Sequence, residues 1–326
     1  GGEAIATARA IMDSLLEQGS LAQHFPTLKA RIASLTELDP AYLVQELNNQ
    51  FWQPVFVSQM IDDMSAVKLD YLGTATLGDI YLDAFPPEVL KLIEQESAPR
   101  LKQQIRDYAV YKSFRRDLYV KGLVPLWRER QAEQLLDTRF ITNPAVPRPE
   151  AGRPYKLTSG LGDVDGDHER CSAIVEQMDT PEGLSLRELR LPDKDIGIAH
   201  IIKTVSLLLQ GWWLMPYAPT KQMPNVNLGI THAVCEGAPY RSLSVPRAGG
   251  AVYLTDLEMM FANASLRQLP EADWPQFVAA RLQALGGTLI QEGTKVTNPK
   301  AGLDLLAIDA KKFQSRLPWL KAVGGL

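Results

Sequence analysis

Three stretches of this sequence carry residue types whose spacing could do chemistry. The first is Ser159-Gly160-Leu161-Gly162, with Gly166 beyond it, between a predicted strand and a predicted helix. Glycines so placed let a backbone wrap a phosphate. The context argues for an ordinary loop instead. No parallel βαβ unit surrounds it, and no acidic residue ends a second strand about 20 residues on, where a ribose would be held. The second stretch overlaps the first. Asp163, Asp165 and Asp167 alternate like the opening ligands of a calcium loop, but His168 stands where that loop needs Gly and Ile174 where it needs a bidentate Glu. The third is residues 108–119, where Lys112, Arg115 and Arg116 are interleaved with aromatics. Arg among Tyr and Phe can stack on a base or clamp an acidic peptide. The spacing predicts a helix on which Tyr111 and Arg115 share a face and Arg116 points elsewhere. That helix could equally present a core-facing aromatic stripe, with a buried Arg satisfying carbonyls or a carboxylate, and the helical spacing favours this second reading.

The rest of the chain offers little reactive chemistry. His24, His168, His200 and His232 have no metal-ligand spacing. No G-x-S-x-G, H-E-x-x-H or phosphate-binding loop occurs. Cys171 and Cys235 sit at apolar positions of predicted helices and read as small buried hydrophobes, which fits a reducing cytoplasm. No catalytic, cofactor-binding or metal-ligating residue is therefore predicted. The candidates are residues of interaction: Tyr108, Arg115, Arg116, Trp212 and Trp213. The two tryptophans lie on a predicted strand, so their rings should face opposite ways, and the outward one is the expected contact.

The elements that must position these residues read as mainly α, with α+β character. The composition, 45% hydrophobic and 22% charged, is that of an ordinary soluble protein with enough chain for two or three domains. No apolar run approaches the roughly 20 residues of a membrane helix. The chain opens Gly1-Gly2-Glu3 without Met, which reads as part of something longer. Residues 1–65 read as linking helices. Residues 66–143 read as an all-helical domain with a long helix at 97–121 that carries Leu101, Ile105, Tyr108, Tyr111, Phe114 and Leu118, with Gly122 as its stop. Residues 144–154 are Pro-rich and read as an extended linker and domain boundary. Residues 155–326 mix helices and strands. Helices are predicted after Asp167, around Leu184, Leu186 and Leu189, and at 196–210, before a strand at 212–215. Three helices and then a strand is the order of a winged-helix unit. A smaller α/β extension follows, with strands at 240–245 and 251–254 and a capping box at Thr255 and Glu258.

Several short motifs recur here in the order of a known family. Tyr71-Leu72-Gly73 with Ala75, Phe85-Pro86-Pro87-Glu88-Val89, and Phe114-Arg115-Arg116-Asp117-Leu118 resemble the methyltransferase regulatory domain, whose pattern runs Y-L-G-x-A, F-P-P-E-V, then D-x-x-x-x-x-x-F-R-x-x-L. Asp107 and Phe114 reproduce the last spacing. Tyr42-Leu43-Val44-Gln45-Glu46 and Pro54-Val55-Phe56-Val57 resemble the family's linking segment, although Gln45 stands where the family has the histidine of an H-E pair. The resemblance covers roughly residues 1–145. Beyond the Pro-rich stretch the chain is similar to the C-terminal winged-helix region of bacterial protein lysine methyltransferases of the rickettsial type.

This resemblance implies that a catalytic Rossmann domain binding S-adenosylmethionine precedes the region present here. The chain itself would then hold no cofactor and be no enzyme alone. It would position its own catalytic domain, shape access of a protein substrate, or mediate assembly. The competing readings are a winged-helix nucleic-acid-binding protein and a pure oligomerisation or scaffold module. Nucleic acid fits poorly, because the net charge is −4 and the would-be recognition helix at 196–210 offers only Lys203 and His200.

Overall fold

The computed structural model describes every residue except 1, 36, 37, 39, 48, 160–161, 192–195, 219–223 and 292–293. The chain divides into two compact units, Gly1–Asp63 and Met64–Leu326. It is mainly helical, at 55%, with small antiparallel sheets. No described helix is long and apolar enough to cross a membrane.

The first unit contains α1 (Gly2–Gln18), α2 (Leu21–His24), α3 (Pro26–Leu35), α4 (Pro40–Leu47) and the start of α5 (Val57–Ala66). A single apolar stripe runs from Leu21 to Leu35, yet the helix breaks at Phe25, because Pro26 has no N–H to continue the ladder and instead opens a new helix. The helix start expected at Asp39 lies partly outside the described residues.

The second unit begins with β1 (Leu69–Thr74), α6 (Pro87–Gln95), α7 (Pro99–Ala109) and β2 (Asp117–Lys121). The long helix expected at 97–121 is therefore two elements, and this region is not all-helical. Helix α7 stops because Tyr111 takes a left-handed backbone, φ 49°, with the Lys112 N–H closing on the Asp107 carbonyl at 2.9 Å. This is a helix-ending turn with Tyr in the place usually given to Gly. Beyond it, the aromatic and β-branched run Leu118-Tyr119-Val120 pairs antiparallel with β1, Tyr71 opposite Tyr119. Gly122, at φ 68°, follows a strand rather than a helix.

Next come α8 (Arg128–Asp137) and β3 (Arg139–Thr142), then β4 (Tyr155–Ser159), β5 (Gly162–Gly166), α9 (His168–Gln177), β6 (Leu184–Ser185), α10 (Ile198–Gln210) and β7 (Leu214–Tyr217). The Asp167 carboxylate caps α9 by accepting from the Arg170 N–H at 2.8 Å. The helix expected around Leu184, Leu186 and Leu189 is instead β6, whose Leu184 and Ser185 pair with Phe140 and Arg139. Spacing of two residues suited either element, and the partner strand decided it. The order is thus helix, strand, helix, strand along a sheet β6-β3-β7, not three helices and then a strand.

Strand β3 also changes the role of the Pro-rich stretch. Phe140 and Ile141 are neighbours on one strand, so they face opposite ways, and each is buried in a different apolar cluster. Leu214 and Met215 of β7 divide in the same way. Two cores therefore share one wall, built from strands on either side of residues 144–154, and those residues do not separate two compact units.

The last part is α11 (Pro224–Cys235), β8 (Ser242–Val245), β9 (Gly250–Tyr253), α12 (Asp256–Leu266), α13 (Trp274–Ala284), β10 (Ile290–Gln291), β11 (Thr294–Lys295) and α14 (Pro299–Ala322). The Thr255–Glu258 capping box opens α12 as expected. Phe261, Trp274 and Phe313 fill the centre, with ring centroids 6.0–6.3 Å apart. The backbone of Ser244 is clamped by Asn227, whose amide donates to the Ser244 carbonyl at 2.8 Å and accepts from its N–H at 3.0 Å.

Candidate functional site

Three residues of the quoted motifs, Tyr71, Asp107 and Asp117, converge on Arg115. From the end of α7 to Arg115 the chain turns back. In a continuous helix, Asp107 and Arg115 would stand about 12 Å apart along the axis, whereas here Nη1 of Arg115 meets the Asp107 carboxylate at 2.5 Å. Nε and Nη2 grip both oxygens of Asp117, at 2.8 and 3.0 Å. Nη2 also donates to the Tyr71 hydroxyl at 3.0 Å and to Gln103 Oε1 at 3.2 Å. One guanidinium thus ties β1, α7 and the start of β2 together in a fork suited to bidentate carboxylate binding. Lys112 adds an ion pair with Asp79.

The electrostatics match this geometry. Burial alone would lower the Arg115 pKa, but the hydrogen bonds and charges of Asp117 and Asp107 outweigh it and raise it above its ordinary value. Burial raises the Tyr71 hydroxyl, against the pull of Arg115. Burial also lowers Arg106. Burial likewise raises the Asp107 carboxyl, against the pull of Arg115.

The other half of the motif faces solvent. Tyr111 is 84% exposed and Phe114 72%, with Tyr108, Leu72 and Leu118 also exposed. The sequence reading is thus half corrected. Arg115 does satisfy carboxylates, but the aromatics are not a core-facing stripe, and Tyr111 and Arg115 do not share a helix face, because both lie beyond α7. Arg116 is exposed, and its carbonyl accepts from the Ala75 N–H at 2.7 Å. Tyr71, Gln103 and Asp117 were not singled out as site residues. The signal available was charge: Asp107, Arg115 and Asp117 lie within eleven residues of sequence.

The tryptophans belong elsewhere. Trp212 precedes β7 and has a left-handed backbone, φ 65°, so the two rings are not disposed by strand alternation. Trp213 packs edge-on against Tyr155, centroids 5.0 Å apart, and joins the core. Trp212 is 60% exposed and lines a cleft. Helix α10 spends its lysine internally. Lys203 pairs with Asp83 and lies 5.4 Å from the centre of the Tyr81 ring.

The glycine-rich stretch does not fit a nucleotide cofactor. Gly160 and Leu161 lie outside the described residues, but the strands that flank them pair antiparallel, Ser159 opposite Gly162. The described strand after this stretch is thus β5, an antiparallel partner of β4, and not the helix whose N-terminus would hold a phosphate. Asp165 pairs with Lys156, and Asp167 is occupied in capping α9.

The comparisons with known proteins meet this geometry at one point. Residues 39–121 match the predicted methyltransferase regulatory domain. The matched segment holds Tyr71, Asp107 and Arg115. The match starts within the expected linking helices and ends with β2. An uncharacterized protein of Synechocystis sp. is 26% identical over 311 residues, covering 92% of this chain and 60% of that protein. The chain thus spans less than two thirds of this curated relative. In fold, the chain is similar to PKMT2 from Rickettsia typhi, with a TM-score of 0.62 at 12% identity over 95% of this chain and 67% of that one. Against PKMT2 in complex with AdoHcy the TM-score is 0.66 at 15% identity, over 99% of this chain and 67% of that one.

Proposed function

We propose that this chain is the non-catalytic, regulatory and substrate-recognition portion of a bacterial, cytoplasmic S-adenosylmethionine-dependent protein methyltransferase. The observation that carries the reading is the regulatory-domain match at residues 39–121, the segment that contains the Arg115 hub. The hub holds the β1–β2 ladder so that Leu72, Leu118, Phe114 and Tyr111 are exposed. A two-stranded ladder with an uncovered apolar face suits docking of a further domain. The adjoining catalytic domain is the proposed occupant and would hold the cofactor, as PKMT2 holds AdoHcy. A protein is the proposed substrate. The ion pair that engages Lys203 supports protein over nucleic acid as the partner of α10.

Calorimetric titration of AdoHcy into the chain tests the non-catalytic part. No saturable heat is expected. Micromolar one-to-one binding would overturn it and return attention to the glycine-rich stretch.

A further inference from the structure

The cleft beside Trp212 lies outside the matched segment, and its walls are chemically specific. It has a volume of about 710 Å³, within the roughly 300–1,000 Å³ typical of binding pockets. Asn143, Pro144 and Val146 form one side, Trp212 and Met215 another, and Ala251, Val252 and Tyr253 of β9 the third. Its two ionic side chains, Glu258 and Arg316, pair with each other, so the lining carries no net charge.

The third wall is an open sheet edge. Strands β8 and β9 form a two-stranded antiparallel ladder, Leu243 opposite Val252 and Ser244 opposite Ala251. The Leu254 N–H donates to the Arg241 carbonyl at 2.9 Å, which fixes the alternation. Leu254, Val252 and Gly250 bond toward β8, while Tyr253 and Ala251 turn their N–H and C=O groups away from it. On β8 the matching outward groups of Ser244 are both taken by Asn227, so that edge is covered at Ser244. On β9 the outward N–H and C=O of Ala251 and Tyr253 have no partner among the described residues. Such an edge is a template for another strand.

Trp212 gives the cleft its second feature. A bulky residue in the left-handed region costs on the order of 1–3 kcal/mol and persists only where its surroundings impose it. The result is an indole left exposed at the end of α10, lining the cleft.

We propose that the cleft binds an extended, uncharged peptide segment that adds as a third strand to the open edge of β9 and lodges an apolar side chain against Trp212. Backbone pairing to Ala251 and Tyr253 supplies affinity, and the aromatic and aliphatic walls select the side chain, which is the logic of strand addition. The neutral lining favours an uncharged segment over an acidic or basic one. The inference stands apart from the methyltransferase reading, since it rests on β9 and Trp212 alone.

The test uses the whole chain and a phage-displayed library of random short peptides, with the selected peptides synthesised and their binding measured by fluorescence anisotropy. Selected peptides are expected to be extended and apolar, and to slow amide hydrogen exchange at Ala251 and Tyr253. N-methylation of alternate backbone nitrogens in one register should abolish binding, and in the other register should leave it intact. Ala251→Pro removes one outward donor from an edge strand and should weaken binding about tenfold. The proposal is overturned if no peptide is selected, if bound peptides leave those two amides unprotected, or if both N-methyl registers behave alike. Should Ala251→Pro fail to fold, the N-methyl scan on the unaltered chain decides the matter alone.

Discussion

Replacing Arg115 with Met keeps most of the side chain's aliphatic bulk and removes the guanidinium, so it isolates what the hub does. Two carboxylates would be stranded, Asp107 with 13% of its side chain exposed and Asp117 with 8%. Breaking a buried ion pair from one side costs about 3–5 kcal/mol. These carboxylates keep some contact with water, which places the expected loss near the bottom of that range, about 3 kcal/mol. The loss should be local, because the hub joins β1, α7 and β2. Amide hydrogen exchange at Leu118, Tyr119 and Val120 is therefore the assay, with an expected acceleration on the order of a hundredfold. Arg116→Met, at an exposed position, should stay within about 0.5 kcal/mol of the parent. In the double variant with Asp107→Asn, the two losses should fall short of adding by about 0.5–3 kcal/mol, as contacting partners do. If Arg115→Met exchanged no faster than Arg116→Met, the network would be a surface ion pair of little consequence, and the account of why the motif residues converge would be wrong.

Two further outcomes follow from packing. A Cβ on Gly211 would lie 2.4 Å from the Trp213 ring, so Gly211→Ala should destabilise the chain by about 1–3 kcal/mol, seen as a lower melting temperature; an unchanged melt would show that the ring is not held against Tyr155. Burial pushes the Cys171 thiol up to about 12 from its ordinary 9.0, so its neutral form is the one the fold favours. That contribution is intact below pH 9 and is lost as pH rises toward 12. Urea midpoints measured between those limits should fall more steeply for the parent than for Cys171→Ala, and parallel declines would count against the burial argument.

What the sequence revealed and what it concealed divide along a physical line. Helix α9 with its Asp167 cap, the apolar helix α10, the Thr255–Glu258 box and the β8–β9 ladder are all specified by residues close together in sequence, and all were legible. The break after α7 was not, because Phe114 and Leu118 extend a helical stripe by chance, and the turn at Tyr111 is held by Arg115 meeting Asp107 and Asp117 across elements. Strands β3 and β6 are four and two residues long and exist only through their partners, so no local pattern announces them. Of the candidate site, Arg115 was named in the sequence as an interaction residue and lies at the centre of a network of side-chain bonds, while Tyr71 and Gln103 join it from other elements, and only three-dimensional proximity identifies them.

The shared wall of the two cores has a consequence for the order in which the protein can mature. The carbonyl of Thr142, at the end of β3, accepts from the indole N–H of Trp319 at 2.6 Å, across 177 residues of chain. Ile141 beside it is buried in the apolar cluster that also contains Leu320 and Val323. At a synthesis rate of about 5–20 residues per second, β3 emerges from a ribosome roughly 10–35 s before its last partner does. Within that interval β6 and β7 are made and can pair with β3, and the cluster around Phe140 is complete by Leu214, but the cluster on the Ile141 side still lacks Phe313, Leu317 and Leu320. A nascent chain of this protein therefore carries one face of a finished sheet, the Ile141 and Met215 side, uncovered until its last helix has been made.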